Sequence, residues 1–266
     1  MPRGLPNGYG SGFVDVTPFV HNRGKIRLDT LLLERGMVAT LQQARGLIMD
    51  GKVLVQEQRI TKPGTPVPLA APLRLLQKTI PWVSRGGIKL AHAIDHFQVS
   101  VHNAQCMDVG AATGGFTDVL LQRGAARVYA LDVGYGQLAW KLAQDDRVVV
   151  MDRTNIRHID PTDLPNPIDV LVMDVSFVGL AQALPPALAL LRTEGLGIVL
   201  LKPQFELARL QVAPGGVVRD PLLHQEAITL FETLAARLGL TVQGSTPSPI
   251  PGPKGNKEFL FCFCKK

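Results

Sequence analysis

From Pro81 onward the chain alternates short apolar runs with stretches of helical periodicity, and this alternation constrains the fold more than any other feature. The runs are Gln105 to Val109, Arg127 to Asp132, Val148 to Met151, Val170 to Met173 and Ile198 to Leu201. Strands that alternate with helices in this way are the sign of a parallel sheet. An α/β, doubly wound sheet is expected there, with helices between the strands. Thr241 to Thr246 and Glu258 to Cys264 have no helix between them and are expected as an antiparallel edge.

The first part of the chain reads differently. Residues 1 to 22 are rich in Gly and Pro without periodicity, which predicts a flexible tail. They lack the charged start and apolar core of a signal peptide, and no apolar run reaches the ~18 residues of a membrane span. No membrane association is expected. From Ile26 a helical pattern begins, with Leu28, Leu31 and Leu32 leading to Arg35-Gly36. A second helix follows, capped by Thr40, with Leu41, Ala44, Leu47 and Ile48 on its apolar face and Gly51 at its end. Val53 and Val55 then alternate as a strand, Lys62-Pro63-Gly64 makes a turn, and Leu73 to Gln77 returns as a strand. A small α+β domain is thus expected over 23–80, a linker over 81–88 and the larger domain over 89–266.

A net charge of +6 and a pI near 9.4 favour an anionic partner. Between Arg23 and Lys62 there are eight basic and four acidic residues, a balance of +4, so the basic surface is concentrated in the small domain. Arg45 projects from the polar side of the second helix. The three cysteines, Cys106, Cys262 and Cys264, show no C-x-x-C spacing, which fits a reducing cytoplasm rather than a disulfide framework or a zinc site. His92 and His96 stand one helical turn apart without a third ligand, and no metal is expected.

Met107 to Phe116, reading M-D-V-G-A-A-T-G-G-F, lies where a strand meets a helix. Small residues there let backbone approach a ligand, and the helix N-terminus offers free N–H groups. NAD enzymes, flavoproteins and S-adenosylmethionine enzymes all place such a turn here. Asp132 and Asp152 end the next two strands, where a carboxylate can accept hydrogen bonds from ribose hydroxyls. Lys89, Asp174, Lys202 and Glu258 also fall where a parallel sheet gathers its ligand-binding ends. After the fourth strand the chain reads D-V-S-F, with neither an N-P-P-Y motif for amino-group methylation nor a Pro-Cys nucleophile.

The loop D-V-G-A-A-T-G-G-F resembles the D-x-G-x-x-x-G-G pattern of FtsJ-like methyltransferases, and the Lys89, Asp174, Lys202, Glu258 set resembles the tetrad of RNA 2'-O-methyltransferases. R-L-D at Arg27 to Asp29 and A-R-x-x-I-x-x-G-x-V from Ala44 resemble the S4 RNA-binding domain. V-S-R-G-G-I-K-L, D-V-G-Y-G-Q-L, K-P-Q-F-E, G-G-V-V-R-D-P and G-N-K-E-F-L closely resemble the TlyA family, which joins the two domains; Ala112 stands where that family's serine is expected.

This resemblance implies a Rossmann-like methyltransferase sheet, S-adenosyl-L-methionine as cofactor, and ribosomal RNA or ribosomal subunits as partner, methylated at a cytidine 2'-hydroxyl. It implies a cofactor site at Asp108, Gly110, Ala111, Thr113, Gly114, Gly115, Phe116, Asp132, Val133, Asp152 and Asp174. RNA contacts are expected at Arg23, Lys25, Arg27, Arg45, Lys52 and Arg85. A ribose hydroxyl is a poor nucleophile until deprotonated, whereas a methyl sulfonium needs mainly alignment. A lysine acts as base near neutrality only with its pKa below the ordinary ~10.4, which a second ammonium and partial burial both favour. Lys202 is therefore expected as general base, Lys89 as a neighbouring cation, Asp174 as the carboxylate orienting both, and Glu258 as a second orienting acid. A non-catalytic assembly factor, a membrane-active hemolysin and a metabolite methyltransferase are the alternatives, disfavoured in turn by the complete tetrad, the missing span and the basic N-terminal domain.

Overall fold

The computed structural model describes residues 24–76 and 80–266, divided between Thr79 and Ile80 into two units. The expected tail, Arg23 and the end of the strand at Gln77 lie outside the described residues. The first unit runs β1 (Lys25–Arg27), α1 (Leu28–Glu34), α2 (Leu41–Met49), β2 (Val53–Val55), β3 (Gln58–Ile60), β4 (Pro66–Pro68) and β5 (Leu73–Leu75). The Thr40 hydroxyl accepts the Gln43 N–H at 3.1 Å to start α2, and Gly51 at φ +65° ends it. Leu28, Leu31, Leu32, Ala44, Ile48 and Val53 pack as the core. The antiparallel pair β1 and β4 is not legible in the sequence, because β1 occupies the start of the helical pattern and β4 begins and ends with proline, which an edge strand tolerates.

Within this unit Asp29 is fully buried, and its carboxylate accepts hydrogen bonds from Arg27 at 2.7 Å and Arg45 at 3.1 Å. The Arg27 hydrogen bond, helped by Arg45 and opposed by burial, holds this carboxyl at about 2. The R-L-D motif therefore fixes two half-exposed arginines on one buried anchor. Lys25 is exposed, and Lys52 pairs with Asp50 at 3.0 Å.

The second unit continues with α3 (Gly86–Phe97), β6 (Gln105–Val109), α4 (Gly115–Gln122), β7 (Arg127–Leu131), α5 (Trp140–Ala143), β8 (Val148–Met151), β9 (Ile168–Met173), α6 (Leu180–Leu190), β10 (Leu191–Leu201), α7 (Pro203–Glu206), α8 (Pro221–Arg237), β11 (Leu240–Pro247) and β12 (Phe259–Lys265). The sheet order is β11-β12-β10-β9-β6-β7-β8, parallel from β10 to β8, with β12 antiparallel to both its neighbours. Alternation along each strand sorts two cores. Cys106, Val170, Val172, Ile198 and Leu260 face α3 and α4, while Met107, Leu171, Val199 and Phe261 face α6 and α8. The sheet is thus covered on both faces, as continuous apolar strands require.

One expectation needs correction. Helices do not separate every strand pair: α5 between β7 and β8 is a short helix, and only two 3-10 turns lie between β8 and β9. The helix α3 starts at Gly86, where Gly86 and Gly87 let it begin against Ser84 and Trp82.

Candidate active site

The parallel strands all end on one edge of the sheet. Gly110, Asp132, Asp152, Asp174 and Lys202 directly follow β6, β7, β8, β9 and β10. Because β12 runs antiparallel, with Phe259 opposite Leu201, its first end carries Glu258 to the same edge. An added Cβ at Gly110 would lie 2.5 Å from the Asp174 carbonyl oxygen, so the absence of a side chain there lets the β6 end lie against the β9 end. Gly114, at φ +95°, is likewise crowded by Leu138 and Leu142. These glycines serve chain-on-chain packing as well as any ligand.

Two cavities open on this edge. One of about 440 Å³ is lined by Val109, Gly110, Ala112, Leu131, Asp132, Val133, Ile156, Asp174 and Phe177. The other, about 470 Å³, is lined by Lys89, Lys202, Gln204, Lys254, Asn256 and Glu258. Gly110, Ala112, Asp174, Ser176 and Phe177 line both. All four tetrad residues therefore border the second cavity, and Asp174 stands on the shared wall.

The tetrad divides into two ion pairs. Lys89 Nζ donates to Glu258 Oε2 at 2.6 Å, with Glu258 held almost wholly from water. Lys202 Nζ lies 2.6 Å from Asp174 Oδ1, a charge contact whose angles fall outside hydrogen-bond geometry, and donates to Ser176 Oγ at 2.8 Å. The expectation that Asp174 orients both lysines is corrected: its ion pair is with Lys202, and Glu258 holds Lys89.

The cofactor residues expected from the sequence also divide. Asp132 borders the first cavity; its two oxygens accept the Gly134 N–H at 2.7 Å and the Ala112 N–H at 2.8 Å, leaving further lone-pair positions toward the cavity. Gly110, Val133 and Asp174 line it too. Ala111, Thr113, Gly114, Gly115 and Phe116 do not line it; Thr113 is exposed, and Phe116 is a core residue. Asp108 is buried and takes the Thr117 hydroxyl at 2.7 Å; burial pushes its carboxyl up to about 7, against the opposing Thr117 bond and with help from Asp174. Asp152 lies outside the cavity and accepts the Gly136 N–H at 2.8 Å, tying the β7 and β8 loops together. Arg85 is exposed ahead of α3.

Sequence reasoning passes over Ser176, Phe177 and Asn256. Phe177, at φ +66° and 92 % exposed, stands between the cavities. Asn256 is buried, accepts the Val218 N–H at 2.9 Å and donates to the Gly216 carbonyl at 2.8 Å. It thereby ties the G-G-V-V segment to the loop that carries Glu258. The motifs D-V-S-F and G-N-K-E-F-L are visible, but a serine or asparagine in a loop carries no sequence signal of its partner.

Comparison with known proteins follows the same division of the chain. A family model described as FtsJ-like methyltransferase matches residues 82–265, and one described as S4 domain matches 26–70. The 16S/23S rRNA (cytidine-2'-O)-methyltransferase TlyA of Mycobacterium tuberculosis is 44% identical over 89% of this chain and 88% of its own length. Hemolysin A of Brachyspira hyodysenteriae is 37% identical over 90% of this chain and 99% of its own. A solved Streptococcus thermophilus structure described as a hemolysin is 40% identical, with a TM-score of 0.73 over 91% of this chain and 89% of the other.

Proposed function

The chain belongs to the FtsJ-like methyltransferase family, in the TlyA branch that adds an S4 domain, and on that footing we propose that it methylates the 2'-hydroxyl of a cytidine in ribosomal RNA. The observation that carries this reading is the convergence of Lys89, Asp174, Lys202 and Glu258 on one cavity that shares a wall with a second. A methyl donor in one and an acceptor in the other would meet at Asp174 and Ser176.

The first cavity suits S-adenosyl-L-methionine. Leu131, Val133, Ile156 and Val178 offer apolar walls for an adenine, and Asp132 offers carboxylate oxygens for ribose hydroxyls. Asp174, which also lines it, offers negative charge to a sulfonium and an amino group. When bound, this cofactor supplies an electrophilic methyl group. The chain's own residues supply alignment and proton removal. In this assignment Lys202, as free amine, would take the proton from the ribose hydroxyl while that oxygen bonds the methyl group and the sulfonium sulfur is left as a neutral thioether, and Lys202 would remain as an ammonium beside Asp174. Lys89, fixed by Glu258, gives positive charge near the developing oxyanion. Arg27 and Arg45 on their Asp29 anchor, with Lys25 and Lys52, supply cations for RNA phosphates.

The hemolysin descriptions belong to relatives, and among the described residues no helix is long and apolar enough to cross a membrane. The test is transfer from methyl-labelled S-adenosylmethionine to ribosomal subunits and to naked ribosomal RNA, followed by nucleoside mass spectrometry. Label in 2'-O-methylcytidine is expected. Label on a base, or no label in RNA, contradicts the proposal.

A further inference from the structure

A lysine amine swings on a flexible four-carbon stem, so an ion pair alone fixes its charge environment better than its direction. Among the described residues Lys202 Nζ has one well-formed hydrogen bond, to Ser176 Oγ at 2.8 Å; the contact to Asp174 Oδ1 is close but poorly aligned, and that oxygen has no directed partner. Hydrogen bonds are angular and ion pairs are not. Direction at Lys202 therefore comes from Ser176.

The surroundings hold this pair in register. Ser176 and Lys202 sit on two segments joined again further along, where Phe177 packs on Phe205 at 5.4 Å and Glu206 accepts the Leu180 N–H at 3.0 Å. Ser176 lines both cavities, at the place where transfer would occur. A neutral amine has two N–H bonds and one lone pair. With one N–H committed to Ser176 and the stem enclosed, the lone pair has a narrow range of directions left.

We infer that Ser176 is a positioning residue for methyl transfer: its hydroxyl accepts a hydrogen bond from Lys202 and aims that amine at the ribose hydroxyl where the two cavities meet. The inference rests on the proposed role of Lys202 as base. Ser176 holds the amine before the proton moves and accepts from the ammonium afterwards, so no proton passes through the serine.

The test compares wild type, Ser176→Ala and Ser176→Thr in full-length protein. Three quantities are read: the single-turnover rate at saturating ribosomal RNA, the RNA concentration for half-maximal rate, and S-adenosylhomocysteine affinity by calorimetry. Ser176→Ala is expected to lower the rate roughly ten- to hundredfold, the worth of a charge-assisted hydrogen bond. The other two quantities should stay within about twofold, since neither measures the aim of Lys202. Ser176→Thr keeps the hydroxyl, and the exposed site has room for its methyl, so most of the rate should return. A wild-type rate in Ser176→Ala overturns the inference, as does a loss that falls on RNA half-saturation or cofactor affinity, or a threonine variant no better than alanine. If wild type itself places no methyl on ribosomal RNA, the proposed function fails and the inference with it, an outcome distinct from an active wild type matched by its alanine variant.

Discussion

Lys89 on α3 and Glu258 at the head of β12 meet at 2.6 Å although 169 residues separate them, and both side chains are nearly withdrawn from water. A buried pair of this kind contributes modest net stability when intact but is costly to break from one side. Glu258→Gln should therefore lower stability by about 3–5 kcal/mol, read as a denaturant midpoint, because the Lys89 ammonium is left uncompensated. Adding Lys89→Met should restore much of that stability without restoring methyl transfer. If the double variant is no more stable than the single one, the pair is not what Glu258 contributes.

Asp132 is tied to the loop ends on both sides, through the Ala112 and Gly134 N–H groups. Asp132→Asn keeps an acceptor while removing the charge and should weaken S-adenosylhomocysteine binding about tenfold or more, as for other hydrogen bonds to charged groups. Calorimetry reads this directly. Unchanged affinity would remove Asp132 from the cofactor site.

Asp108 provides a pH signature of the fold. Its carboxyl is raised from 3.8 to about 7, chiefly by burial. The native state thus holds this proton through a pH range in which the unfolded chain has released it. The sign is that stability from this group is present at low pH and is lost as pH rises from about 4 through about 7. Asp108→Asn, which still accepts from Thr117, should gain Tm relative to wild type as pH rises across that window. Parallel Tm curves at pH 5, 6, 7 and 8 would contradict it.

How much of this is readable from sequence varies by element. The strand ends at Val109, Leu131, Met151 and Met173 follow from apolar runs that stop at a glycine or an acid, and the tetrad from motifs in fixed order. The Asp29 anchor is not readable, since R-L-D shows spacing but not that Arg45 returns to the same carboxylate. Nor is the pairing within the tetrad, which depends on β12 entering the sheet between β10 and β11. Their place in a motif points Phe116 and Asp108 toward the cofactor. In the structure both are buried and neither lines the first cavity.

For the N-terminal unit, Lys25→Gln with Lys52→Gln removes two cations without disturbing the Asp29 anchor. Affinity for ribosomal RNA should fall, and the slope of log K against log salt should flatten by roughly 0.7 to 0.9 for each phosphate that is no longer neutralised. A salt titration that gives identical slopes would mean that neither lysine meets phosphate.

The role of Lys202 is the centre of the mechanism, and Lys202→Arg tests it most directly. Arginine keeps the positive charge beside Asp174 but cannot release a proton near neutrality. Single-turnover transfer to ribosomal RNA, measured with S-adenosylhomocysteine affinity as a control for folding, should fall below detection in Lys202→Arg while that affinity is largely retained. Near-normal transfer by the arginine variant would contradict the account, because the proton would then leave the ribose hydroxyl without Lys202.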